Sequence, residues 1–92
     1  MTPTATQRLN TLVDAYLGGQ SFEAFHKAFA RAFLEELPDQ ALSDRQWDQY
    51  GLINEKAEWT SPKPSPEERA LGWMDEDQFQ KWLRGYRGEL PS

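Results

Sequence analysis

The chain has 92 residues, room for one small domain with a single buried centre (1–92), and it has no cysteine, so disulfides, thiolate metal sites and a thiol nucleophile are excluded. Fifteen Asp and Glu against ten Lys and Arg give a formal net charge of −5, a field that repels nucleic acid and attracts basic partners. The opening MTPTATQRLN carries no apolar h-region, and no stretch approaches the roughly 20 apolar residues of a membrane span, so a cytoplasmic protein is expected, monomeric or weakly dimeric.

Thr4 and Gln7 are spaced as a capping box, and Leu9, Leu12, Val13, Tyr16 and Leu17 then recur at three and four residues. With Gly18-Gly19 supplying a positive-φ terminator, the spacing predicts a first helix over 5–17. Ser21 caps the next, in which Phe22, Phe25, Phe29, Phe33 and Leu37 form an aromatic spine that Pro38 ends, giving a helix over 22–36. Leu42, Ser43, Gln46 and Trp47 combine a hydrophobic staple with a capping box and open a helix over 44–58. Its Trp47, Tyr50, Ile53 and Ala57 share one broad face, while Leu52 and Trp59 fall away from it.

TSPKPSP, Thr60 to Pro66, has too many prolines for regular helix or central strand and reads as a loop over 60–66. Ser65, Pro66 and Glu68 mark a short helical turn running to Gly72. Met74, Asp75, Gln78 and Phe79 repeat the staple and box, and Phe79, Trp82, Leu83 and Tyr86 supply the stripe of a last helix over 76–86, ending near Gly85 or Gly88. No run alternates as a strand would, so the expected fold is all-α: a compact antiparallel four-helix bundle with a short extra helical turn before the last helix.

Chemistry is thinly represented. His26 is the one histidine and lies at the edge of the phenylalanine spine, where it reads as a partly covered structural side chain. The acids Glu67, Glu68, Asp75 and Glu76 fall in first turns of predicted helices, where the helix dipole favours them without any substrate. MDEDQFQKWLRG lacks the ligand spacing of a calcium loop, and no cluster of ligands suits zinc or iron, so no enzyme, metal or cofactor is expected.

The third helix is different. On a helical wheel Asp44, Asp48, Glu55 and Glu58 fall within about 80° of one another, while Arg45 and Lys56 lie together on the adjoining side. Like charges at this spacing cost a few tenths of a kcal/mol per pair, and Gly51 in the stripe weakens the helix and leaves a gap for a close-approaching partner. An ordinary solvated face is the competing reading. The functional one is an electrostatic docking surface for a basic protein, with Trp59 as an apolar contact beside the acids.

The order of landmarks, LVDAYLGGQSFEAFHKAFARAF, then LSDRQW, a proline-containing loop and GWMDEDQFQKWL, resembles the bacterial self-protective colicin-like immunity family. Tyr16, Leu17, Gly18, Ser21, Phe22, Phe25, Asp75, Glu76 and Phe79 fit that outline. The resemblance implies a cofactor-free four-helix bundle that binds a cognate nuclease toxin, covering its basic cleft with acidic side chains in place of nucleic-acid phosphates. The alternative is a small helical adaptor that binds another protein through apolar surface, with no toxin partner.

Overall fold

The structure, a computed structural model, describes residues 4–38, 40–61 and 63–90. Among them are five helices: α1 (Ala5–Leu17), α2 (Phe22–Arg31), α3 (Asp44–Glu58), α4 (Pro66–Ala70) and α5 (Glu76–Arg87). α1, α3, α4 and α5 each begin with a complete capping box, in which Thr4, Ser43, Ser65 and Asp75 accept the amide of the third residue while Gln7, Gln46, Glu68 and Gln78 reach back. Ser21 caps α2 through the Ala24 amide. These caps satisfy amides that the first turn of a helix cannot pair internally, so each helix start is written in three or four residues.

Helix ends follow from backbone freedom. Gly19 adopts φ 123° after α1 and Gly72 φ 98° after α4, the left-handed region in which a side chain is strained. The last helix passes through Gly85 and stops at Gly88. The segment predicted as the end of the second helix continues helical to Glu36, but its last five residues, Ala32–Glu36, form a π-helical turn. Pro38 forces the preceding Leu37 into extended backbone at ψ 130°, which terminates the turn.

α1 packs on α2 and α5, and α3 packs on the same two, so the four longer helices close a ring around one core. The all-α bundle expected from the periodicities is therefore the fold. Phe25, Phe29, Tyr16, Tyr50, Phe79, Leu9, Val13, Ile53 and Leu83 are almost wholly buried. The rings form a chain across the bundle: Tyr16 stacks on Phe25 at 4.7 Å, Phe25 meets Phe29 at 5.4 Å, and Phe33 sits edge-on to Trp47 at 5.0 Å. Buried polarity is paired where α1 meets α3, the Tyr50 hydroxyl donating to Asn10 Oδ1 at 2.6 Å. At the surface, Arg87 pairs with Asp14 at 2.8 Å to tie α5 to α1, and Arg8 pairs with Glu36 to tie α1 to the π turn.

The proline-rich connection is anchored to the end of α3. Thr60 and Met74 form an isolated parallel bridge, in which the Met74 amide donates to the Trp59 carbonyl and the Ser61 amide to the Met74 carbonyl, both at 3.0 Å. The Thr60 hydroxyl donates back to the Lys56 carbonyl at 2.7 Å, and Pro64 is buried. Pro62, the first of the loop's three prolines, lies outside the described residues.

Candidate functional site

α3 holds Asp44, Asp48, Glu55 and Glu58 on its solvent side, and all four are exposed. The opposite side of the helix carries Tyr50, Ile53 and Ala57 into the core, which fixes the rotation of the helix and with it the direction of the acids. At about 1.5 Å per residue the stripe from Asp44 to Glu58 is about 21 Å long, more than two Debye lengths at physiological salt, so its two ends act on a partner as separate charges along a line.

Two features describe the electrostatic setting of the stripe, the first of which, freedom from ion pairs among the described residues, it shares with Glu23, Glu67, Glu68, Glu76, Asp77 and Glu89. The ion pairs among the described residues draw on Asp14, Glu35, Glu36 and Asp75, with Arg8, Arg31, Arg69 and Arg87 as their cations, and none reaches the four acids of α3. Position along the helix is the second. Asp44 in the first turn is favoured by the helix dipole, whereas Glu55 and Glu58 lie in the last turn, where the backbone carbonyls already concentrate negative charge. The same turn carries one base, Lys56, so the two glutamates leave it with a net negative charge at the negative end of the dipole.

Glu58 has one weak local partner, the Asn54 amide nitrogen donating at 3.5 Å. The other end of that side chain, Asn54 Oδ1, is buried with no partner among the described residues. The gap expected at Gly51 is not open to a partner. A β-carbon built there would lie 3.6 Å from Phe33 Cζ, so the missing side chain is filled from within by the edge of the aromatic spine.

Trp59, predicted as an apolar contact, is the C-cap of α3 and 48% exposed. Its indole meets Trp73 at 5.3 Å, a contact made because the Thr60–Met74 bridge lays the chain leading into α5 beside the end of α3. Between them Leu52, Glu55, Lys56, Trp59, Gly72 and Met74 line a shallow cleft of about 200 Å³. Leu52 and Trp59, which fall away from the core stripe, thus share a place after all. Lys56 lends the cleft its stem, while its ammonium lies 5.8 Å over the ring of Trp82. Leu71, 74% exposed, extends the apolar surface nearby.

A larger open groove runs along the outer side of α2 and its π turn, lined by Ala24, Lys27, Ala28, Arg31 and the 63% exposed Leu34, with His26 at its edge. All of its walls come from one stretch of helix, and the two bases Lys27 and Arg31 are flanked and balanced by Glu23 and Glu35, so it offers neither convergent polar groups nor a net field. His26 is half-buried with its ring 5.6 Å from that of Phe22. Among the described residues no three His, Asp or Glu side chains stand together as metal ligands, and no helix is long and apolar enough to cross a membrane.

No family model, curated protein or solved structure matches the chain.

Proposed function

We propose that this protein is a non-catalytic inhibitor of the immunity type, which neutralises a basic nuclease toxin by laying the acids of α3 over the toxin's nucleic-acid cleft. The observation that carries the reading is the placement of Asp48, Glu55 and Glu58: solvent-facing, in no ion pair among the described residues, and in the case of the two glutamates set against the helix dipole. A row of uncompensated carboxylates on a rigid helix is the charge pattern of a phosphate backbone. It speeds encounter with a cationic cleft and selects against acidic partners. No cofactor enters this role, and the resemblance to the colicin-like immunity proteins supports it.

The test is co-expression with the toxin domain that an immunity protein is expected to have encoded in the neighbouring reading frame. The wild-type chain should restore growth and block nuclease activity in vitro. An Asp48→Lys/Glu55→Lys/Glu58→Lys variant with an unchanged helical spectrum should do neither. Full protection by the folded triple variant would reduce the stripe to a solvated face and shift attention to the acids around Glu67 and Asp77. The adaptor reading is favoured by one observation, the exposure of Leu71 and Trp59, and partner binding that ignores ionic strength would select it.

A further inference from the structure

The cleft beside the stripe has the makings of an anchor for one side chain of the partner, and resting on the reading of α3 as the partner-facing surface, we infer that its occupant is an arginine of a basic segment. The size of the cleft excludes a larger guest: about 200 Å³ falls below the roughly 300–1,000 Å³ of sites that enclose small organic substrates. Its chemistry is divided by wall. Leu52, Met74 and the Trp59 indole offer apolar surface to a three-carbon stem, and Glu55 adds to the lining a carboxylate that pairs with no cation among the described residues.

The one cation belonging to the cleft, Lys56, has its ammonium over Trp82, 5.8 Å from the ring centre, so it leaves Glu55 uncompensated. The vacant combination of an indole and a carboxylate is matched by a guanidinium. Its planar face stacks on an aromatic ring while its N–H fork addresses the acid, and a lysine ammonium does the second without the first. The cleft is also held in shape. The Thr60–Met74 bridge, with the Met74 amide donating to the Trp59 carbonyl, and the turn at Gly72 fix its two sides, so little ordering cost falls on binding. Glu58 follows Glu55 by about 4.5 Å along the axis and Asp48 precedes it by about 10 Å, so neighbouring cations of the same segment meet acids in both directions.

Octa-arginine and octa-lysine peptides, titrated into the full chain at 0.15 M salt while the four tryptophan indole N–H resonances are followed, test the assignment. Octa-arginine should shift the Trp59 and Trp73 signals and leave Trp47, packed on Phe33, in place. Trp59→Ala should weaken octa-arginine about tenfold and octa-lysine far less, the contrast that a lost stacking contact produces. The isosteric Glu55→Gln, at an exposed position, reports on the same cleft should Trp59→Ala unfold, and should weaken octa-arginine by about fivefold. Asp48→Lys/Glu58→Lys tests the stripe without touching the cleft walls. If that double variant loses affinity while Trp59→Ala and Glu55→Gln bind octa-arginine as the wild type does, the arginine anchor is wrong and the acidic surface stands. If the wild type binds neither peptide, both fall. A neutral leucine-bearing peptide that shifts Trp59 where octa-arginine does not would make the cleft a plain apolar pocket and overturn the assignment.

Discussion

Glu58→Lys should make the free protein more stable while making it a worse binder of a basic partner. Glu58 is the last residue of α3, three residues after Glu55, so the substitution turns a like-charge pair into an acid followed by a base, the favourable order, a swing of about 0.4–1 kcal/mol. The same lysine meets the negative end of the helix dipole where a glutamate opposed it, adding about 0.3–1 kcal/mol. Against these stands the 3.5 Å contact from Asn54, at the limit of hydrogen-bond length, and the new ammonium can donate to the unpartnered Asn54 Oδ1 instead. A net gain of about 1 kcal/mol corresponds to a melting temperature raised by roughly 4–8 °C for a domain of this size. Thermal melts followed by helical circular dichroism at about 20 mM salt would read it, and repetition at 1 M salt, where the Debye length shrinks to about 3 Å, should shrink the gain. A variant that melts at or below the wild-type temperature at low salt would refute the claim that the acid is misplaced for stability, and with it the main reason for assigning it a function.

Three further outcomes follow from the core and the helix surfaces. Phe29→Ala, at a side chain 1% exposed between Phe25 and Phe33, should cost about 3–5 kcal/mol in urea unfolding, and an unchanged midpoint would mean that the ring is not part of the core. Burial pushes the Tyr16 hydroxyl up to about 12, with the nearby Glu76 acting in the same direction. Its protonated form is thus favoured by folding, so stability should be complete below pH 10 and fall between about pH 10 and 12 by roughly 2–3 kcal/mol, a loss that Tyr16→Phe should reduce in alkaline melts. Gly51→Ala should stabilise the protein by about 0.5–1 kcal/mol in urea unfolding, because the added methyl meets Phe33 Cζ at ordinary contact distance and helix propensity improves. A loss instead would mean that the Phe33 ring cannot give way.

Much of this fold is legible because its signals are local. A capping box needs four consecutive residues and a staple six, and the apolar stripes need only a period, so helix starts at Thr4, Ser43, Ser65 and Asp75 can be read without knowing what packs where. The π turn at Ala32–Glu36 is less accessible. An aromatic stripe with a spacing of three and four describes α- and π-helical turns nearly alike over one turn, and which of them forms depends on how Phe33 is received by Trp47 and Gly51 of α3. Gly51 illustrates the same limit from the other side. A wheel places it among the acids, yet only the packed structure shows that a ring from α2 has taken the space.

The acids of α3 are readable from a wheel, but their freedom from ion pairs among the described residues is not. That Arg45 and Lys56 fail to neutralise them is a matter of side-chain direction, and Lys56 in particular is drawn to Trp82, on a helix more than twenty residues further on. The cleft is harder still, since its walls come from Leu52 to Trp59 and from Gly72 to Met74, brought together by the Thr60–Met74 bridge across a proline-rich loop that no periodicity describes. Tryptophans at 59 and 73 carry no periodic signal linking them, because neither belongs to a core stripe. Their contact places an aromatic surface within reach of Glu55, and an isolated acid row then becomes a site with a preferred cation. If the row alone mattered, lysine-rich and arginine-rich partners of equal charge would serve equally; the exposed indole of Trp59 is what should make this protein tell them apart.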